Sequence, residues 1–322
     1  MGYDGRTDSA TNLEFAMLTF TFLGTGSAFA KRSFQSNLLV EAWHDSTHKR
    51  SAPDDVLLVD YGNLAPLALH RLKDRPGFAY LDRNGAINYP ALRRIFITHL
   101  HADHVGGLEE LATLNMHVFK SPDTGQGFRP ELISSSQILH DLWKHSLCAG
   151  LGAPGGVGIG LEDYFTLFPL SLPKGEGRVR GSSASDEPTH PPHFTLLDRY
   201  DVRALPTDHI RIAAAYDWPS FGLIFTDRRT NQSVYFSGDT RFDRDRTLDI
   251  MQRCTFAFHE VQLLDDPDPV HTLLSELRTL PEEVRRKICL YHYGDNWDDP
   301  AFDFVRTEFA GFAQPHQRYA LL

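Results

Sequence analysis

The stretch IFITHLHADHVGGLEE, residues 95–110, combines a short apolar run with a dense polar cluster. Residues Ile95 to Ile97 have the β-branched and aromatic character of a strand buried in a sheet, and three histidines and an aspartate follow almost at once. Because functional side chains are often held on loops that leave a rigid scaffold, this pattern predicts a functional site at the end of a buried strand.

The loop after this strand has the residues to begin two metal sites. In an extended chain alternate side chains point the same way, so His99 and His101 can reach one point, whereas Asp103 and His104 turn toward a second. Zinc and similar cations accept imidazole nitrogen and carboxylate oxygen. Two neighbouring sites need about seven ligand groups when one group is shared, so further ligands are expected downstream.

Three downstream residues follow or end apolar stretches of strand-like composition: His209 in LPTDHI, Asp239 in VYFSGDT and His292 in CLYHYGD. Other histidines lie in a strand interior, a helix or an irregular segment, where solvated or hydrogen-bonded side chains are expected: His117, His140, His145, His190 and His193. The predicted metal ligands are therefore His99, His101, Asp103, His104, His209, Asp239 and His292.

Composition limits the class of protein. The chain has 322 residues, of which 41% are hydrophobic, enough for a sizeable core. Its formal charge of −10 makes an extended nucleic acid an unexpected partner, since a polyanion requires clustered Lys and Arg. Three widely spaced cysteines, Cys148, Cys254 and Cys289, are expected to be buried reduced thiols. With neither a signal peptide nor a membrane span evident, we expect a soluble cytoplasmic protein.

We expect a flexible N-terminal tail over residues 1–16, followed by a single domain over 17–322 with an irregular, glycine- and proline-rich insert at about 146–193. This insert is either a tolerated surface insertion or a lid over a site. The apolar spacing of LISSSQILHDLWKHSL, 132–147, predicts a helix. Two strand-rich halves, each ending in helices, predict an α+β fold, a four-layer αββα sandwich.

At these motifs the chain resembles a known superfamily. THLHADHVGG, 98–107, resembles the HxHxDH signature of the metallo-β-lactamase superfamily, and FLGTGSAF, 22–29, resembles the opening of its phosphodiesterase branch, which includes ribonuclease Z. The resemblance continues through FSGDT, FHEVQ and LYHYGD. It implies that His99, His101 and His209 hold one divalent ion, zinc or manganese, and that Asp103, His104 and His292 hold the other. Asp239 would bridge the two ions.

The resemblance also implies catalytic roles. Asp103 would orient or deprotonate the attacking water, and His271 would be the general acid. His271 resembles the histidine of a similar HST segment in ribonuclease Z, although this sequence has HTL there. His259 and Glu260 would orient the ligands or His271, with a purely structural role for His259 as the alternative. A carboxylate at position 239, where true β-lactamases of this superfamily commonly have cysteine, argues against antibiotic hydrolysis.

Two kinds of phosphodiester substrate are compatible with this branch. Ribonuclease Z grips transfer RNA with an arm inserted between the third and fourth metal motifs, but His209 and Asp239 are only 30 residues apart, which leaves no room for one. The segments LWKHSL, GLEDYF and 270–295 resemble the anti-Pycsar enzymes, with which phages destroy cyclic nucleotide signals of their hosts. A cyclic mononucleotide phosphodiesterase is therefore favoured over a transfer RNA 3′-endonuclease. An ester, lactone or thioester hydrolase and a non-catalytic binding protein remain the alternatives.

A small cyclic nucleotide requires a closed pocket with an aromatic wall for its base. Tyr164, Phe165 and Phe168, within the insert, are candidates for that wall, with a place in the core as the alternative. A mobile insert defines a wall only when something packs against it, so we expect a homodimer.

Overall fold

The computed structural model describes residues 18–44, 52–152, 158–171, 192–212, 216–267 and 269–322. The predicted tail over 1–16 and much of the predicted insert lie outside these ranges. The strands are β1 Leu18–Gly24, β2 Asn37–Ala42, β3 Asp55–Val59, β4 Asp82–Arg83, β5 Ala86–Ile87, β6 Arg94–Phe96, β7 Glu131–Ser135, β8 Thr166–Leu170, β9 His193–Leu196, β10 Tyr200–Thr207, β11 Arg211–Ile212, β12 Tyr216–Asp217, β13 Ser220–Asp227, β14 Ser233–Phe236, β15 Phe256–Glu260, β16 Ile288–Tyr291 and β17 Arg318–Ala320.

The helices of the described ranges are short. They are α1 Ala65–Leu72, α2 Ala102–Val105, α3 Leu108–Thr113, α4 Ser136–Leu142, α5 Cys148–Leu151, α6 Leu161–Tyr164, α7 Arg244–Arg253, α8 Leu274–Leu277, α9 Glu282–Arg285 and α10 Val305–Glu308. Single turns of 3₁₀-helix lie at Ala79–Leu81, Tyr89–Ala91 and Pro300–Phe302, and π-helical turns at Leu114–Val118 and Trp143–Leu147. Within the described ranges every helix is too short or too polar to span a bilayer.

Two sheets form the centre of the fold. The first has the strand order β17-β1-β2-β3-β6-β7-β8 and the second β16-β15-β14-β13-β10-β9. Aromatic rings join their facing surfaces: Phe20 of β1 lies 5.1 Å from Phe225 of β13, and Phe22 lies 5.0 Å from Phe258 of β15, measured between ring centroids. Helix α1 contacts β1 of the first sheet and α7 contacts β14 of the second. Two central sheets flanked by helices confirm the predicted αββα sandwich.

Some local expectations change. The segment 132–147 is not one helix, because its first four residues complete β7 and α4 begins at Ser136, where the Ser135 hydroxyl accepts a hydrogen bond from the Ile138 amide. Within the predicted insert, β8 pairs in parallel with β7 and extends the first sheet. Cys254 and Cys289 are buried free thiols as predicted, but Cys148 is exposed.

Candidate metal centre

The topology brings four strand ends of the second sheet to one edge. Strands β14, β15 and β16 are parallel, and β10, antiparallel to β13, runs in the same direction as β14. Consequently Asp239 after β14, His292 after β16 and His209 after β10 meet at the carboxyl edge of this sheet. The loop after β6 of the first sheet supplies His99 and the rest of its cluster to the same place. Residues far apart in sequence therefore converge because parallel strands end together.

The seven predicted ligands form two groups that share Asp239. His99, His101, His209 and Asp239 make the first group, and Asp103, His104, Asp239 and His292 the second; within each group the ligand atoms lie within 4.8 Å of one another. In the first, His101 Nδ1 is 2.9 Å from His99 Nε2 and 3.3 Å from His209 Nε2. In the second, Asp239 Oδ2 is 3.4 Å from His104 Nε2 and 3.3 Å from His292 Nε2.

These spacings fit metal ions. Ligand atoms about 2.1 Å from an ion in tetrahedral geometry are roughly 3.4 Å apart. Three buried atoms of the second group, His104 Nε2, His292 Nε2 and Asp239 Oδ1, have no hydrogen-bond partner. Because an unpaired buried polar atom is costly, a cation that accepts their lone pairs would relieve that cost. The residues present therefore fit a divalent metal centre with nitrogen and oxygen ligands.

The protonation states of the groups also suit a cation. Burial lowers the pKa of His99 well below its usual value and that of His209 to about 4, which leaves both as neutral ligating imidazoles. Burial alone would raise the pKa of Asp103, but the nearby charge of His104 outweighs this effect and keeps the carboxyl ionised. Burial alone would lower the pKa of His104, but Asp103, Asp239 and Asp60 raise it well above its usual value. This concentration of negative charge is one that a cation would compensate.

Close packing fixes the backbone of residues 99–104, the predicted metal-binding loop that follows β6. A Cβ on Gly62 would lie 1.8 Å from the Asp103 carbonyl oxygen, so only glycine allows the chain after β3 to approach this closely. The Tyr61 amide donates to the His104 carbonyl at 2.7 Å, and Asn37 Nδ2 donates to the Asp103 carbonyl at 3.1 Å. These contacts fix the backbone of the loop that carries four of the predicted ligands.

Asp60 supports this loop and was missed by the sequence analysis. Its buried carboxylate accepts hydrogen bonds from His104 Nδ1 at 2.7 Å, the Thr98 amide at 2.8 Å and the Thr98 hydroxyl at 2.7 Å. It directs His104 Nε2 toward the second group. Asp60 directly follows the apolar strand β3, and a polar residue at the end of an apolar strand is the same sequence feature that predicted the ligands.

His271 lies between the two ligand groups. Its ring centroid is 4.8 Å from that of His209, which belongs to the first group, and 4.8 Å from that of His292, which belongs to the second. His271 Nδ1 donates to Glu260 Oε1 at 3.2 Å, and this oxygen also accepts from the Thr240 and Thr272 amides. Burial lowers the pKa of His271, but Glu260 and Asp239 more than offset this and raise it to about 9.

Glu260 and His259 differ in position although they are adjacent on β15. Glu260 is buried and its carboxylate accepts the hydrogen bond from His271, so its role in orienting His271 stays a prediction with this contact behind it. His259 Nδ1 donates instead to the Glu260 carbonyl at 2.8 Å, and its ring centroid lies 6.3 Å from that of the buried Tyr235. These contacts favour a purely structural role for His259 over a role in orienting the ligands or His271.

The predicted pocket wall needs correction. Tyr164 and Phe165 are 2% and 1% exposed and belong to the hydrophobic core. They precede β8, which pairs in parallel with β7, so they lie at the amino end of the sheet, opposite the edge that carries the metal ligands. Phe168, inside β8, contacts Phe194, and its role in substrate binding stays a prediction.

The remaining histidines stay apart from the metal groups. His117 lies in a π-helical turn rather than a strand, His140 and His145 lie on α4 and the turn after it, and His193 begins β9. His190 falls outside the described residues. None of the four described ones belongs to a ligand group among the residues that the structure describes.

Trp218 was not anticipated near the site. It lies between β12 and β13, is half-buried, and its ring centroid is 5.6 Å from that of His101, with the planes inclined by 35°. Two residues later, the Ser220 hydroxyl donates to the Asp239 carbonyl at 3.2 Å. An indole thus borders the first ligand group.

Comparisons with solved structures agree with this fold. The structure resembles the metallo-β-lactamase fold protein YhfI from Bacillus subtilis, with a TM-score of 0.59 and 14% identity over 94% of this chain and 98% of that one. It also resembles unliganded yeast PDE1, with a TM-score of 0.65 and 13% identity over 95% of this chain and 100% of that one. The fold and the clustered histidines and aspartates thus define a protein of the metallo-β-lactamase fold class.

Sequence comparison identifies the family. A family model described as Anti-Pycsar protein Apyc1 matches residues 18–319. The Anti-Pycsar protein Apyc1 of Paenibacillus harenae is 32% identical over 298 residues, covering 92% of this chain and 97% of the relative. The protein of the same description from Bacillus phage 010DV004 is 32% identical over 307 residues, covering 94% and 98%. The chain belongs to the anti-Pycsar Apyc1 family.

Proposed function

We infer that this protein is a dinuclear-metal phosphodiesterase that hydrolyses 3′,5′-cyclic mononucleotides to linear nucleoside monophosphates, and thereby counters cyclic nucleotide signalling. The observation that carries this proposal is the pair of ligand groups sharing Asp239, in a chain of the anti-Pycsar Apyc1 family. A shared carboxylate between two ligand groups is the arrangement used for hydrolysis of phosphate esters. We also propose that the protein acts in the cytoplasm, where it would meet such a signal.

Two divalent ions, zinc or manganese, are the proposed cofactors. His99, His101 and His209 would hold one ion and Asp103, His104 and His292 the other, with Asp239 between them. Imidazole and carboxylate donors without a thiolate suit zinc, and manganese also accepts them. When bound, such ions supply an activated water and polarise the phosphoryl group.

Residues of the chain would then perform the proton transfers. Asp103 Oδ2 lies 3.2 Å from His104 Nε2 and 3.5 Å from His292 Nε2, so this carboxylate faces the site and can accept a hydrogen bond from the attacking water. His271 lies between the groups and is held through Nδ1 by Glu260, so its other nitrogen would be available to the leaving ribose oxygen. It would deliver the proton that the leaving oxygen requires.

A small substrate is favoured over a large RNA. The 29 residues between His209 and Asp239 contain β11, β12, β13 and β14, and β13 and β14 of the second sheet take up twelve of them. This leaves little chain for an arm that grips transfer RNA. The net charge of −10 also opposes a polyanion spread over a broad surface, whereas a single phosphate would be attracted by the ions themselves.

One assay tests the substrate. Metal-loaded protein is incubated with 3′,5′-cyclic AMP, GMP, CMP and UMP, a precursor transfer RNA and a generic carboxylic ester, and the products are separated by chromatography. We expect linear monophosphates from the cyclic nucleotides and little cleavage of the RNA or the ester. RNA cut at its 3′ trailer with all cyclic nucleotides intact would favour a transfer RNA 3′-endonuclease, and turnover of the ester alone would favour an ester, lactone or thioester hydrolase.

A further inference from the structure

We propose that Trp218 is the platform on which the base of the substrate stacks, and that it makes the site selective for phosphodiesters that carry a base. This proposal rests on the proposed function and adds the residue that recognises the base. The indole is half-buried and lies 5.6 Å from the His101 ring, so it borders the ligand group while retaining exposed surface. An aromatic surface beside a phosphate site is what base stacking requires.

Other rings near the ligands are less suited to this role. Tyr291 lies 6.5 Å from His292 but is 1% exposed, so its faces are already covered by the core. Tyr164 and Phe165 lie at the opposite end of the first sheet. Of the two rings, Trp218 and Tyr291, that lie beside a predicted ligand imidazole in the described part of the chain, Trp218 is therefore the one with exposed surface.

The position of Trp218 is defined by its surroundings. Pro219 follows it and restricts its backbone to extended conformations. Ser220 then begins β13 and donates to the Asp239 carbonyl, which also accepts from the Thr207 hydroxyl at 3.0 Å. The backbone that follows Trp218 is thus tied to the proposed bridging ligand. A rigid platform costs little conformational entropy on binding.

The distances match the shape of a cyclic nucleotide. In such a substrate a single ribose separates the base from the phosphate, so a phosphate at the ligand groups leaves the base about one ring away. Trp218 lies beside His101, a member of the first group, with 5.6 Å between the two ring centroids. Because any base offers a π-face, stacking here predicts selectivity for the presence of a base with loose preference among bases.

Two variants separate the stacking role from mere bulk. Trp218→Leu keeps apolar volume but removes the π-face, and Trp218→Phe keeps a smaller π-face. Trp143→Leu is the matched control. Trp143 is also half-buried, but it packs against the hydrophobic core and is not among the rings beside the predicted ligands. Each variant is assayed as metal-loaded protein with cyclic AMP and with methyl ribofuranoside 3,5-cyclic phosphate, which has no base. Metal content and calorimetric binding of AMP and ribose 5-phosphate are measured in parallel.

We expect Trp218→Leu to lower kcat/KM for cyclic AMP about 5- to 150-fold, mainly through KM, as loss of one stacked base would. Hydrolysis of the base-free analogue, metal content and ribose 5-phosphate affinity should not change, and AMP affinity should fall in parallel with kcat/KM. Trp218→Phe should keep most of the activity and Trp143→Leu all of it. An equal fall for both substrates, or loss of metal, would instead show that Trp218 positions His101.

The outcome also distinguishes this proposal from the proposed function. If the wild type cleaves no cyclic nucleotide, the phosphodiesterase assignment is overturned and the stacking role with it. If the wild type cleaves cyclic AMP and Trp218→Leu keeps the same ratio of cyclic AMP to base-free turnover, the stacking role alone is overturned.

Discussion

The Asp60 carboxylate accepts a hydrogen bond from His104 Nδ1 at 2.7 Å, and both side chains are buried. This bond selects the tautomer of His104 whose Nε2 can ligate and turns that nitrogen toward Asp103 and Asp239. Asp60 has φ +64°, an unusual conformation for a residue other than glycine, which the end of β3 and the metal-binding loop hold in place. A residue outside both ligand groups thus determines the geometry of one ligand.

Asp60→Asn should lower metal affinity by about 10- to 100-fold, because an amide can no longer favour the ligating tautomer through a charged acceptor. Competition with a chromogenic chelator measures this. Asp82→Asn is the control, since Asp82 pairs with Lys73 away from the ligands. Equal affinity in the wild type and Asp60→Asn would remove Asp60 from the metal centre.

Elemental analysis of carefully prepared protein should find about two divalent ions per chain, as two ligand groups imply. His99→Ala and Asp239→Ala should lose metal and activity together, with Asp239→Ala affecting both ions because it belongs to both groups. His145→Ala, at an exposed histidine, should leave metal content unchanged. One ion or none in the wild type would contradict the dinuclear proposal.

His271→Ala should keep both ions while turnover falls by a factor of about 10² to 10⁴, the usual contribution of a general acid. Glu260→Gln should act in the same direction but less strongly, because it only orients His271 through Nδ1. Kinetics and metal analysis on the same preparations make the comparison. Loss of metal from His271→Ala would reclassify this histidine as a ligand, which its distance to Glu260 and His292 would allow.

Arg318→Ala should destabilise the fold by about 3–5 kcal/mol, since it leaves the fully buried Glu41 without its ion pair. Arg318 donates to both carboxylate oxygens of Glu41, at 2.8 and 3.0 Å, and joins β17 to β2 across β1. Denaturant unfolding measures the change. In Arg253→Ala, which removes an exposed pair with Asp249, the expected change is below about 1 kcal/mol; comparable losses in the two variants would contradict the argument.

We expect a homodimer in which the segment 146–193 borders the substrate pocket. Light scattering should give twice the 36.4 kDa of one chain. Replacing residues 172–191, which lie outside the described ranges, by a short Gly-Ser linker should raise KM for cyclic nucleotides without removing metal. A monomer whose kinetics do not respond to this deletion would disprove both parts.

The sequence by itself determined the class of site. Local patterns were sufficient because each ligand directly follows or ends an apolar strand, and the HxHxDH loop holds four ligands within six residues, 99–104. The sandwich followed from the order of strand-rich and helix-rich segments. These features are local in the chain, so no knowledge of which strands pair was needed to predict them.

Only the tertiary structure decided which residues meet. Tyr164 and Phe165 looked like a pocket wall, but the parallel pairing of β8 with β7 places them at the amino end of the sheet, in the core. Trp218 reaches His101 across more than a hundred residues of sequence because β13 begins beside the ligands. Long-range packing of the two sheets sets strand direction and register, and these decide which end of a strand faces the metal site. The local composition around a single residue does not contain that information.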